Sequence, residues 1–290
     1  MKLQNHFKDS FTYMNIHVPN TGSFRSATDM EILERPLEWL REFQSGWLSH
    51  FERTGIADWS QYTYPQNDLA PASRGICLSQ TRLLLISTAG AYYPTSHTPF
   101  DCSKPLGDYS IRIIPTSTSL EALVFGHPDL NQEYVQKDPQ VLLPLKHLQA
   151  MVREKFLGSF APIFISLCGA QPHAIRVVKE LIPNILKAAK EHLVQSALII
   201  PAGHLCIQTA GLVARALEVN NIATTMTTWD PDMAHMTAPP RLTSTYLPEG
   251  SPVGMPGDAA QQRRILQTTL GLLELNAPTG IVYLQETAPA

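Results

Sequence analysis

Charge is scarce in this sequence: Asp, Glu, Lys and Arg make up 16% of its 290 residues, against about 25% in an average soluble domain. The 22 basic and 25 acidic side chains nearly cancel, leaving a formal charge of −3. With no run of Lys or Arg, the electrostatic footprint of a nucleic-acid binder is missing. Long apolar runs are missing too. Stretches such as Ala197–Ala202 fall far short of the ~20 residues that a membrane-spanning helix needs. Cysteine is sparse: Cys77, Cys102, Cys168 and Cys206 are too few for a disulfide-stapled secreted scaffold, and no CxxC pair offers a structural zinc site. No GxGxxG follows a strand, and neither GxxxxGK[ST] nor Gly-x-Ser-x-Gly occurs. The N-terminus MKLQNHFKDSFTYMNIHVPN carries no apolar core of signal-peptide length. The expectation is a cytoplasmic protein whose thiols are reduced, acting on neither nucleic acid nor membrane.

What is present is a 44% apolar chain with 23 prolines. Such a chain can bury a sizeable core, and its length suits one large domain or two lobes. Low charge together with abundant proline suggests long ordered connections and a buried interface, hence a homo-oligomer. Residues 1–74 read as an N-terminal irregular and helical segment. Within it, Thr28-Asp29-Met30-Glu31 has capping-box spacing. Leu37, Leu40, Phe43, Trp47, Leu48 and Phe51 then make one apolar helical stripe, which Pro36 should kink or open. Residues 75–290 read as an α/β domain, with lobes near 75–160 and 161–290 and the active site between them.

The α/β reading comes from alternation. Ile76–Ser79, Arg82–Ser87 and Ser110–Ile114 look like strands, with a long loop between the last two that holds His97, Asp101, Cys102 and Asp108. From 140 onward the order is helix 144–155, strand 162–167, helix 172–190, strand 196–200, helix 209–219 and strand 222–227. Continuously apolar strands separated by helices form a parallel sheet buried on both faces, a Rossmann-like core of βαβ units. Ligands of such sheets bind beyond the carboxyl ends of the strands. Two loops in that position bear cysteine: Leu167-Cys168-Gly169-Ala170 and Pro201-Ala202-Gly203-His204-Leu205-Cys206. A Pro- and Gly-rich stretch from Ala238 to Asp258 then reads as a segment lying across the site. A last helix begins at Asp258, a good N-cap.

Cys206 is the leading catalytic candidate, because helix-start amides and dipole favour a thiolate. His204, two residues away, is its candidate activator. Cys168 occupies the analogous loop one strand earlier, and His173 follows in the next turn. Two thiols on facing loops suit proton transfer at either side of a carbon. Inert packing is the bland alternative for both. His204 and Cys206 could join His173, His97 or His127 around a metal, but no pair has familiar ligand spacing. No metal or cofactor is expected. Asp108, Arg112, Arg241, His173 and Thr209 are the candidates for substrate binding, with Asp108 and the arginines suited to an amine or a carboxylate.

The run ALIIPAGHLCIQTAGLVARALEVNNI, residues 197–222, resembles the active-site segment of the selenoprotein B subunits of glycine, sarcosine, betaine and D-proline reductases. There a strand leads to a loop bearing selenocysteine or cysteine, followed by a helix. Thr88–Ala91, Leu106–Arg112 and Pro252–Leu273 also look family-like, so the resemblance covers roughly residues 75–280. The length is nearer to the short D-proline reductase subunit. The resemblance implies nucleophilic cleavage of a carbon–nitrogen bond in a small amino-acid-like substrate, with Cys206 at the nucleophile position. It also implies a partner subunit of a reductase complex. This chain departs from the pattern in having no selenocysteine, and Thr209 stands where the family's resolving cysteine is expected. Regeneration would then fall to Cys168 or to an external thiol or dithiol, unless the chemistry is no longer reductive. The competing readings are a cofactor-independent racemase, isomerase or lyase with Cys168 and Cys206 as acid and base, and a non-catalytic accessory subunit.

Overall fold

A computed structural model describes residues 27–101, 104–127 and 130–289. The first 26 residues of the expected N-terminal segment, the capping side chain of Thr28 and Cys102 lie outside the described residues. Ten strands occur among the described residues: β1 Arg82–Ser87, β2 Ala91–Tyr92, β3 Ile111–Pro115, β4 Val124–Phe125, β5 Ser159–Phe160, β6 Ile163–Leu167, β7 Ser196–Ile200, β8 Ala223–Thr228, β9 Leu242–Tyr246 and β10 Ile281–Thr287. The main sheet runs β10-β9-β8-β7-β1-β6-β3, with short β5 also beside β1. All its pairings are parallel except that of edge strand β3 with β6. Strands from 75–160 and from 161–290 therefore share one sheet. The fold is α/β with a mostly parallel, Rossmann-like sheet.

Apolar strand residues on both faces drive this arrangement. Leu84, Ile86, Ile165 and Ile199 face one core, which also receives the helices Ile182–Glu191 and His204–Val219. Leu83, Leu85, Phe164, Leu198 and Ile200 face a second core, under Leu145–Arg153 and Ala259–Gly271. The connection leaving β1 passes over the second core, whereas the helix leaving neighbouring β7 packs on the first. Adjacent strands whose connections depart to opposite faces open a crevice at their carboxyl ends, the usual ligand position in open α/β sheets.

The N-terminal stripe folds as helix Pro36–Phe43, one π turn Gln44–Leu48 and helix Ser49–Thr54. Pro36 stands in the first helical turn, where its missing N–H costs nothing. Phe43 and Trp47 of the expected stripe are buried and stack with Trp39, which takes the inner position of the first turn, while Leu37 is exposed.

Some expectations are corrected. Ile76–Ser79 is not a strand. Ile76 donates its N–H to Leu273 O, and Leu78–Gln80 closes a 3₁₀ turn. The helix after β7 starts at His204, five residues before Thr209, because Gly203 caps it without any side-chain signal. The stretch 238–258 is not all loop, since it contains β9. Its remainder crosses the carboxyl end of β8, where Thr227 Oγ1 donates to Pro252 O. Asp258 does cap the last long helix, accepting from Gln261 N. No helix among the described residues is long and apolar enough to cross a membrane.

Candidate active site

β7 is wholly buried and ends in Pro201-Ala202-Gly203. Cys206 therefore falls in the first turn of the 16-residue helix His204–Val219. Unpaired amides and the positive end of the dipole meet there, and both favour a thiolate. Cys206 is fully buried, and its Sγ lies 2.9 Å from Nε2 of His127.

His127 arrives from the connection over the second core, the core in which Cys206 is also buried. It follows β4, which pairs antiparallel with β2, and Gly126 N donates to Gly90 O at 3.0 Å. Gly90 has φ +65°, and a Cβ on it would stand 2.9 Å from His127 N. A larger residue would strain the backbone and push the histidine off the thiol.

Thr88, the first residue past β1, ties the neighbouring strand ends together. Its N–H donates to Ile200 O at 3.1 Å, and its carbonyl accepts from Gly169 N at 3.1 Å. Its hydroxyl accepts from Ala202 N at 2.8 Å. Gly169 closes the far side: a Cβ there would lie 2.6 Å from Cys206 Sγ and 2.5 Å from Thr88 Cβ. Thr209 holds this turn down by donating its hydroxyl to Gly169 O at 2.8 Å.

Burial by itself raises the Cys206 thiol. The charge of His127, its hydrogen bond, and those from Thr88 and the Ala202 amide overcome that cost and hold the thiol below its ordinary value. A buried thiolate–imidazolium pair can supply a nucleophile at sulfur and a proton at nitrogen from one contact.

The other sequence candidates are dispersed. His204 is not at the thiol; it is exposed and lies 3.4 Å from Asp230. A residue two positions from Cys206 on a helix points to another side, so the sequence neighbour is not the spatial one. Cys168 is buried one strand over, bridged to Ala89 and adjacent to the Gly169 that touches Cys206. The described cysteines form no disulfide.

Asp108 accepts from the amides of Asp101 and Ser110 at 2.8 and 2.9 Å. Burial would raise its carboxyl, but these bonds, the Ser110 hydroxyl and nearby Arg112 keep it below the usual range. Arg112 staples the carbonyls of Thr98 and Pro99 to β3 and covers the Phe100 ring. His173 sits between Trp39 and Phe43, with Nδ1 lacking a hydrogen-bond partner. Burial, helped by Arg176, lowers its pKa to about 4.

Arg241 is the clearest correction. It is fully buried before β9, at the amino edge of the sheet, and pairs with Glu218 at 2.9 Å. It cannot meet a substrate at the carboxyl edge. Among the described residues, no three His, Cys, Asp or Glu side chains group as metal ligands would.

Sequence reasoning missed Thr88 as a partner of the thiol, and weighed His127 only as a metal ligand. The available signal was topological: both lie in the connection that leaves β1, next to the Cys206 loop.

Comparison with known proteins agrees with the coarse reading. No family model and no solved structure matches the chain. D-proline reductase subunit gamma of Acetoanaerobium sticklandii is 27% identical over 179 residues, covering 61% of this chain and 74% of that protein. The chain is distantly related to a reductase subunit.

Proposed function

We propose that this chain is a thiol-dependent subunit of a reductase complex that cleaves a carbon–nitrogen bond in a small amino-acid-like substrate through Cys206. The observation that carries the reading is the buried Cys206–His127 contact at a helix N-terminus, in the crevice between β1 and β7. The distant likeness to a D-proline reductase subunit supports it.

In this scheme the Cys206 thiolate attacks the α-carbon. A C–S bond forms, the C–N bond breaks, and His127 gives the departing nitrogen its proton. A second thiol then attacks the sulfur; the C–S electrons stay on carbon, which takes a proton, and a disulfide remains. Cys168, one loop away, is the second thiol. An external dithiol reduces the disulfide, so its two electrons end in the reduced product. A cyclic substrate such as D-proline would open its ring in the same steps.

The test is dithiol-dependent amine formation or ring opening by the protein isolated with its partner subunits, over D-proline and a panel of α-amino acids. Cys206→Ser should lower turnover by at least about a thousandfold while the fold is kept. Unchanged turnover in that variant would sink the proposal. Solvent deuterium entering recovered substrate, with no net reduction, would instead favour the racemase type of chemistry.

A further inference from the structure

We propose that Thr88 is a positioning residue for Cys206: its hydroxyl is locked as a donor to the sulfur, and it holds the thiolate in line with His127. This rests on the reading of Cys206 as a thiolate nucleophile.

Three observations converge on this residue. First, a hydroxyl has one proton and two acceptor lone pairs. The Ala202 amide occupies an acceptor position at 2.8 Å, which leaves the proton available to the sulfur. Second, the backbone of Thr88 is clamped on both sides, by Ile200 O on β7 and by Gly169 N beyond β6. A β-branched side chain on a clamped backbone has little rotamer freedom, so the hydroxyl cannot swing away. Third, Thr88 and Cys206 share one wall. A single Cβ built on Gly169 would collide with Thr88 Cβ at 2.5 Å and with Cys206 Sγ at 2.6 Å.

The Ala202 amide belongs to the turn that delivers Cys206, so one hydroxyl reads the position of that turn and the charge of the sulfur together. His127 meets the sulfur, at 2.9 Å, from the connection that leaves β1. Thr88 thus supplies a fixed neutral donor, whereas His127 supplies a charge that comes and goes with its proton. A thiolate held by both stays aimed when the imidazole has given its proton away.

The experiment is a pH titration of the Cys206 thiolate by ultraviolet absorbance, taken as the difference from Cys206→Ser, in full-length protein. The wild-type thiol should titrate below the ordinary cysteine range. Thr88→Val keeps the shape but removes the donor. It should raise the midpoint and lower the thiolate present at neutral pH by roughly tenfold, the loss expected for one hydrogen bond to a charged group. Thr88→Ser should restore the wild-type curve, which a merely structural role would not require. Should the Val variant fail to fold, Thr88→Ala reads the same shift. A Val or Ala curve that superimposes on wild type overturns the inference while leaving the thiolate reading intact. A wild-type thiol that titrates in the ordinary range overturns the thiolate reading and this inference with it.

Discussion

The two ends of the central sheet both bury charge, and they use it in opposite ways. At the amino end, Arg241 meets Glu218 at 2.9 Å and also donates to Leu275 O, Thr224 O and Ser73 Oγ. Arg215, nearby on the same helix as Glu218, donates to Ile32 O, Leu69 O, Thr237 O and Ala238 O and pairs with Glu34. An open cavity of about 780 Å³ lies beside these groups, bordered by Glu34, Ser73, Arg215 and Glu218. The charges along it are spent on one another and on carbonyls. At the carboxyl end, one thiol and one imidazole face each other, and glycine backbone stands in direct contact with the sulfur. A guanidinium–carboxylate pair is a fixed ionic contact, whereas thiols and imidazoles are groups whose protons can move in chemistry. The amino end is a rivet of paired charges, and the carboxyl end sets a thiol against an imidazole.

The comparison breaks most visibly in stability. Arg241→Leu strands the Glu218 carboxylate in the interior and should lower unfolding free energy by about 3–5 kcal/mol. Chemical denaturation checks this, and the thiolate titration of Cys206 should not move. Replacing Glu218 with Leu as well should recover most of the loss, since a buried pair exchanged for apolar volume is often close to neutral.

A smaller effect belongs to a buried imidazole away from the thiol, whose burial and neighbouring Arg176 outweigh the pull of Glu180. Unfolded His173 takes a proton near pH 6.5, while the folded residue resists until about pH 4. Between those values the unfolded state binds more protons, so stability falls as pH drops through the window and levels off below it. The full drop attributable to His173 is about 3 kcal/mol. His173→Gln should flatten that limb in denaturation curves measured across the window. An unchanged slope would mean the imidazole is not buried neutral.

His127→Gln probes the thiol–imidazole pair itself. Removing an adjacent positive charge should lower the thiolate of Cys206 at neutral pH by roughly ten- to a hundredfold. Alkylation rates followed by peptide mass spectrometry against pH would show it. The smallest expected effect belongs to the sequence neighbour. His204→Ala should leave the thiol titration as it is and change stability by no more than about 0.5 kcal/mol, as an exposed residue does. A shift as large as that of His127→Gln would transfer the activating role back to His204.

Local pattern made part of this legible. The strand 196–200 and the strand 82–87 coincide with β7 and β1, because continuous burial on both faces leaves a continuous apolar run in the sequence. β8, with four threonines, was readable through its place in the alternation. β9, Leu-Thr-Ser-Thr-Tyr, was hidden by its hydroxyls, which the fold satisfies; Thr243 Oγ1 lies 2.6 Å from Thr269 Oγ1. Edge strand β10 shows only partial burial and so a diluted signal. The helix carrying Cys206 was read five residues short because glycine, not a capping side chain, precedes it.

The sequence alone determined the α/β class, the strand–loop–helix that carries Cys206, and the absence of basic runs and spanning helices. Those properties depend on composition and on periodicities within a few residues. Tertiary structure decided which histidine reaches the thiol, since His127 and Cys206 lie 79 positions apart. It also decided that Arg241 is a rivet, because a charge between prolines reads the same whether it faces solvent or a buried Glu218. Partner choice over such separations is set by strand order and by which face each connection leaves, and neither is written in local residue spacing.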